Sequence, residues 1–201
     1  MSSCPATLQE LRSAIARLEG RPSTAPKQPV LSSGLEDLDR AVRGWPSPGV
    51  SEVVGRTGSG RLSLILPTLQ RLTRLGRPVA VVDAFGLAYP PGWRKLSLEH
   101  VLVVQPGPER AAWAAEQLAA SGAVPLVVLM DGPRLGRGGP RIQRAAERGG
   151  CSVLILSERS ERALPAALRL QLRGRGARGL KVQVNRVRGM PAGREIWVGM
   201  G

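Results

Sequence analysis

Aromatic side chains are scarce in this chain: one Phe, one Tyr and four Trp among 201 residues. A binding surface built mainly by stacking bases on aromatic rings is therefore not expected. Metal-ligating residues are equally few. The two cysteines, Cys4 and Cys151, lie far apart with neither in a C-x-x-C pair, and His100 is the single histidine. That pattern supports neither a zinc site nor a disulfide framework, so the protein is expected to be metal-free and reduced. Cys151 reads as a packed residue at the start of a buried strand, and His100 as a surface or satisfied core residue. No run of 18 apolar residues is present, which excludes a simple spanning helix. The N-terminus lacks the basic, apolar and small-residue order of a secretory signal, and a cytoplasmic location is expected.

Lysine is rare as well, at 3 against 26 arginines, a bias that codon usage can produce as readily as function. The net charge of +14 is unevenly distributed. Residues 1–133 carry 14 basic and 11 acidic side chains, whereas residues 134–201 carry 15 and 4. A field of that sign attracts polyanions and speeds their encounter, and nucleic acid is the commonest target. Phe85, Tyr89 and the tryptophans do not interleave with the densest basic segment, Arg169–Arg188. The expected mode is contact with backbone phosphates, independent of sequence. The candidate contacts form two groups: Arg134, Arg137, Arg141 and Arg144, and Arg173, Arg175, Arg178, Arg186 and Arg188.

With 42% hydrophobic residues, the chain can bury a sizeable core. Within residues 1–20 the spacing of Leu8, Leu11, Ile15 and Leu18 predicts an amphipathic helix over Thr7–Glu19, with Gly20 at its end. These four are candidate partner-binding residues. Residues 21–29 hold Pro22, Pro26 and Pro29 and read as a linker. Residues 30–201 form the core domain. There, short apolar β-type runs at Val79–Asp83, Val101–Val104, Leu126–Asp131 and Ser152–Ser157 alternate with helices at Glu109–Ala120 and Arg141–Arg148. This rhythm predicts an α/β fold with a central, mainly parallel sheet flanked by helices. Three later segments, Leu168–Arg173, Leu180–Val187 and Arg194–Val198, are separated by Gly-rich turns such as Gly174-Arg175-Gly176 and Gly189-Met190-Pro191. They are expected to extend the sheet as antiparallel strands at the C-terminal end.

The sharpest motif is Gly55-Arg56-Thr57-Gly58-Ser59-Gly60-Arg61-Leu62-Ser63. A phosphate loop reads G-x-x-x-x-G-K-[ST]: backbone amides cradle the phosphates, the Lys reaches the β/γ oxygens and the hydroxyl holds Mg²⁺. The β-type run Ser51–Val54 precedes this stretch and a helical pattern over Leu62–Leu75 follows it, which is the required setting. Arg61, however, stands in the Lys position, and Leu62 offers no oxygen to a metal. Ser63 is one residue late, rotated about 100° around the helix. Gly55, Gly58, Gly60, Arg61, Ser63 and Asp131 are the residues of a vestigial nucleotide site, and neither ATP nor Mg²⁺ is expected as a cofactor.

On these residues the stretch Val30–Gly201 resembles the ATPase core of the bacterial recombinase RecA. The supporting landmarks are Leu31-Ser32-Ser33-Gly34-Leu35-Glu36-Asp37-Leu38-Asp39, Val82-Asp83-Ala84, Gln105-Pro106, Glu116–Val124 and Leu126–Asp131. The resemblance implies a catalytic Glu after the Asp-Ala pair, where this chain has Phe85, which cannot accept a proton. It implies a γ-phosphate-sensing Gln at the end of Ser152–Ser157, where this chain has Glu158. Asp131 falls at the Walker B acid; a purely structural, amide-capping role for Asp83 and Asp131 stands beside the vestigial-metal one. The loops that hold DNA in the recombinase are short here, with about ten residues between Asp131 and the helix at Arg141, and Glu158–Leu164 in place of a long loop.

A RecA-like core with an altered phosphate loop, short loops and no expected C-terminal domain is similar to the ImuA family, RecA-like accessory proteins of bacterial translesion-synthesis cassettes. That resemblance implies a non-catalytic adaptor or modulator in the SOS DNA-damage response, active in error-prone translesion synthesis and acting on RecA, at the nucleoid. The implied partners are RecA, an ImuB-type inactive Y-family polymerase, an error-prone C-family DNA polymerase, and DNA bound without sequence preference. Two other readings are an ATP-dependent, DNA-binding recombinase-like enzyme in which Arg61 and Ser63 take over the lost roles, and an inhibitor of cell division.

Overall fold

The computed structural model describes residues 30–132 and 134–200. The predicted Thr7–Glu19 helix, its four apolar residues and the proline linker lie outside the described residues. In chain order the elements are β1 (Val30–Leu31), α1 (Glu36–Val42), β2 (Trp45–Pro46), β3 (Gly49–Val54), α2 (Arg61–Arg74), β4 (Val79–Asp83), β5 (Val101–Val104), α3 (Pro108–Ala120), β6 (Leu126–Met130), α4 (Gly138–Gly149), β7 (Ser152–Ser157), β8 (Leu168–Gly176), β9 (Gly179–Val187) and β10 (Glu195–Val198). Eight strands form one sheet in the order β10-β9-β8-β3-β7-β6-β4-β5.

Strand periodicity sorts the core into two layers. Val79, Val81, Leu126, Val128, Leu154 and Leu156 point to the face covered by α1 and α2, joined there by Leu38, Leu64, Ile65, Leu69 and Leu72. Their neighbours Ala80, Val82, Val127, Leu129, Val153 and Ile155 point to the other face, under Ala111, Ala115, Ile142 and Ala146 of α3 and α4. Strands covered on both faces read as continuous apolar runs, which is why β4, β6 and β7 were legible as parallel strands. Beyond β3, no helix among the described residues packs on the second face. There β8 and β9 alternate strictly, with Leu168, Leu170, Leu172, Leu180, Val182 and Val184 buried and the intervening residues polar.

As expected, β8, β9 and β10 extend the sheet as strands antiparallel to one another; three details differ. First, β8 joins the sheet parallel to β3, so antiparallel pairing begins between β8 and β9. A period of two reports which face a side chain takes and is blind to strand direction. Second, Gly174-Arg175-Gly176 belongs to β8, past a register shift between Leu172 and Gly174, and the hairpin turns at Ala177-Arg178. Glycine is tolerated in a strand at such an irregularity. Third, α4 begins at Gly138, three residues before Arg141, so the connection from β6 is shorter than predicted. Pro140 falls in the first helical turn, where the backbone N–H has no intrahelical partner, and so does not break the helix. Gly138 lets α4 approach α3: an added Cβ would lie 3.2 Å from that of Ala112.

Candidate functional site

The carboxyl ends of β3, β7, β6 and β4 deliver their loops to one edge of the sheet, the place where open α/β sheets form crevices. The phosphate-loop sequence connects β3 to α2 as predicted. Gly58 and Gly60 have φ of +80° and +97°, conformations that L side chains rarely adopt, and a Cβ on Gly60 would meet Leu180 at 2.7 Å. Leu62 packs against the α1/α2 core, and Ser63 is half-buried without a side-chain hydrogen bond among the described residues.

Arg61 is 5% exposed and turns across the loop. Its Nη1 donates to Asp131 Oδ1 at 2.5 Å and its Nη2 to Thr57 Oγ1 at 3.4 Å. Asp131 follows β6 with φ +45°, uncommon for a residue other than glycine, and its N–H donates to the Leu156 carbonyl at 3.1 Å. Among the described residues the Asp131 carboxylate caps no backbone amide; its partner is the Arg61 guanidinium. From the far side, Glu158 Oε1 accepts from the Thr57 N–H at 3.1 Å and the Thr57 hydroxyl at 2.9 Å. The Thr57 amide, then its hydroxyl, with Arg61 and Arg56 nearby, hold the Glu158 carboxyl below its ordinary value of 4.5.

Asp83, at the end of β4, is buried and acts as a cap. Its Oδ1 accepts from the Leu87 N–H at 2.9 Å; its Oδ2 accepts from the Ala88 N–H at 2.9 Å and from Gln105 Nε2 at 3.1 Å. Burial pushes its carboxyl up, but the amides of Ala88 and Leu87 with Gln105 outweigh it and the net shift is downward. This turn presents Phe85, 53% exposed, to an open cleft of about 900 Å³. The loops after β6 and β7, with Leu87, Asp131, Arg134 and Glu161, complete its walls.

A second buried pair supports that cleft and escaped the sequence reading. Glu52, in the middle of β3, is fully buried and forms an ion pair with Arg169 of β8, its register partner. Glu52 also accepts from the Glu161 N–H at 2.9 Å, Ser160 Oγ at 3.1 Å and Ser157 Oγ at 3.3 Å. Arg169 Nη2 donates to the carbonyls of Glu161 and Leu164. A buried charge survives only when paired and hydrogen-bonded, and here the partners are the loop that follows β7. That loop in turn places Glu161, which accepts from the N–H groups of Leu135 at 2.8 Å and Gly136 at 2.5 Å. The signal in the sequence was a lone acid inside the apolar run Ser51–Val54.

The candidate arginines do not converge on one spot. Arg173, Arg175 and Arg178 sit on the distal part of the β8–β9 hairpin, at the same sheet edge as the phosphate loop; Arg173 is paired to Gln183 Oε1. Arg134 and Arg137 lie in the loop after β6 at that edge, whereas Arg141 and Arg144 follow α4 back along the sheet, Arg141 bound to Glu116 at 3.0 Å. Arg186 and Arg188 lie towards the opposite, amino-terminal end of β3, with the Arg188 N–H on the Ala167 carbonyl. Arg56, Arg159 and Arg162 were not singled out from sequence; all three are exposed at the phosphate-loop edge.

This strand order, with a phosphate-loop sequence after the strand that comes first in the eight-stranded sheet, is that of a RecA-like α/β core. The RadB recombinase crystal structure superimposes with a TM-score of 0.66 at 19% identity, covering 83% of this chain and 94% of that one. By sequence the chain is 32% identical over 145 residues to protein RecA 1 of Myxococcus xanthus, 64% of this chain and 42% of that protein. It is 34% identical over 141 residues to RecA of Chlorobaculum tepidum, 62% and 41% respectively, and 35% identical over 101 residues to the chloroplastic DNA repair protein recA homolog 1 of Arabidopsis thaliana. The chain thus spans about two fifths of the length of the RecA proteins it matches. No protein-family model matches it. By fold the described core is RecA-like, and by sequence it is similar to part of the RecA proteins. No helix among the described residues is long and apolar enough to cross a membrane.

Proposed function

We propose that this protein is a non-catalytic RecA-like adaptor in the bacterial DNA-damage response, serving error-prone translesion synthesis and modulating RecA. One observation carries the reading: the groups that would receive a nucleotide are bound to each other. Arg61 is spent on Asp131, and Thr57 on Glu158. A magnesium nucleotide does not fit this set. Its metal would meet Leu62 in place of a hydroxyl and an acid already paired to a guanidinium, and its γ-phosphate would meet the Glu158 carboxylate. Phe85 stands where a water-activating base is needed and has no lone pair to offer. ATP and Mg²⁺ are accordingly not working cofactors in this reading.

The adaptor acts through surfaces. The loops of β8, β3, β7 and β6 neighbour one another, so Arg173, Arg175, Arg178, Arg56, Arg159, Arg162, Arg134 and Arg137 share one sheet edge, with strands spaced about 4.8 Å apart. This edge is the proposed contact for DNA phosphates, without base readout. The protein partners are RecA, an ImuB-type inactive Y-family polymerase and an error-prone C-family polymerase, which place the protein in the cytoplasm at the nucleoid. Leu8, Leu11, Ile15 and Leu18 are the proposed docking residues for RecA.

The deciding experiment measures ATP turnover by the full chain with and without single-stranded DNA and RecA, together with RecA pull-down by the full chain and by a chain starting at Val30. Background turnover and RecA capture by the full chain alone are expected. Turnover abolished by Arg61→Ala would overturn the non-catalytic reading, and no RecA capture by either chain would remove that partner.

A further inference from the structure

We infer that the loop between β7 and β8 is a built-in latch, in which two carboxylates of the chain hold the phosphate loop and the loop after β6 in one fixed arrangement that no nucleotide sets. In phosphate-loop switches generally, loop order depends on a bound terminal phosphate and is lost when it leaves. Here the equivalent contacts come from side chains. Glu158 takes the Thr57 amide and hydroxyl on one side. Glu161, three residues on, takes the Leu135 and Gly136 amides on the other. The segment between them is not free to drift, because Ser160 Oγ and the Glu161 N–H donate to buried Glu52, and Arg169 ties the Glu161 and Leu164 carbonyls to the same acid. Arg61 closes the ring by joining the base of α2 to Asp131, at the start of the second loop.

The latch follows from where the acids sit. Glu158 and Glu161 are the acidic residues in a loop otherwise carrying Arg159 and Arg162, and both carboxylates face backbone N–H donors instead of those neighbouring guanidinium groups. Each accepts two hydrogen bonds, so the pair bridges three loops through four donors. Carboxylate contacts to backbone N–H groups are charge-assisted, and their loss frees the amides they cover. The consequence is a sheet edge that presents one shape at all nucleotide concentrations, the form an adaptor needs if its partners carry the chemistry. This inference rests on the non-catalytic reading for its meaning, but its test is separate.

The test is hydrogen-exchange mass spectrometry on the full chain, with Glu158→Ala, Glu161→Ala and wild type compared. Glu158→Ala should speed exchange in peptides covering Thr57 by about tenfold or more, and Glu161→Ala should do the same at Leu135 and Gly136. Glu161→Ala should also speed exchange at Thr57, which it does not touch, because the two carboxylates share one loop. Addition of ATP with Mg²⁺ should leave the wild-type pattern unchanged. Absence of the cross-effect would reduce the arrangement to separate contacts and overturn the latch, as would a nucleotide-dependent change in the wild type. ATP turnover would instead strike the functional proposal.

Discussion

Removing the charge of Arg61 while keeping its stem, as in Arg61→Met, tests whether the ion pair with Asp131 is structural. The methionine retains most of the methylene packing, worth about 0.8 kcal/mol per buried CH₂, so the loss reports mainly on charge. Stranding one member of a buried pair costs about 3–5 kcal/mol. The Asp131 side chain is 19% exposed and water can reach it, so Arg61→Met should fall below that range, at about 2–3 kcal/mol. The Arg61 side chain is only 6% exposed, so Asp131→Asn, which leaves a guanidinium with a neutral partner, should cost at least as much. The double variant should lose less than the sum, with a coupling of about 1.5–3 kcal/mol. Urea unfolding followed by the fluorescence of buried Trp45 and Trp93 measures each value. For a chain of this size each kcal/mol lowers Tm by about 2–4 °C, so Arg61→Met should melt about 4–12 °C lower. Single losses below about 1 kcal/mol with no coupling would equate the pair with a surface salt bridge and refute the reasoning.

Because Glu158 titrates below 4.5 in the folded protein, its contact with Thr57 stabilises fully above that value and is lost as the pH falls through the lower, folded value. The Tm difference between wild type and Glu158→Ala should therefore be flat from neutrality down to about 4.5 and shrink only below it; shrinkage well above that value would contradict the assignment. Burial pushes the Cys151 thiol up to about 12, so in a Cys4→Ser background it should resist thiol reagents until denaturant is added, and rapid native labelling would count against its burial. If the phosphate-loop edge binds DNA, Arg134, Arg159 and Arg162→Ala should flatten the salt dependence of binding by about one unit of slope per lost contact, while Arg186 and Arg188→Ala should leave it unchanged; the reverse pattern would move the face to the other end of the sheet.

The parts of the fold that were legible are those where one sequence signal has one physical cause. Apolar runs such as Leu126–Met130 are buried on both faces, and Gly58 and Gly60 are where the chain must turn with positive φ. Strand direction was not legible for β8, because alternation is the same for parallel and antiparallel neighbours. The start of α4 was hidden by Gly138-Gly139-Pro140, residues that usually end helices yet are harmless in a first turn. At the site, Arg61 and Leu62 could be named from the motif, and Phe85 and Glu158 from the resemblance to RecA, but the contacts these residues make could not. Pairing Arg61 with Asp131 joins residues 70 apart, and Glu158 with Thr57 joins residues 101 apart. The Glu52–Arg169 pair spans 117 residues, and nothing local in either segment announces it.

The β8–β9 hairpin pairs with β3 only through Ser51–Val54, while residues 173–178 stand past that register and are all exposed. Three arginines are thus carried on a segment that the core does not read. Substitutions there cost little folding free energy, since the anchoring residues Leu172 and Leu180 lie just inside the tip. If this edge binds a polyanion as proposed, selection can raise or lower that affinity one side chain at a time, leaving the rest of the molecule indifferent to the change. Divergence among relatives should concentrate in this tip, and grafting tips between them should exchange binding strength without exchanging stability.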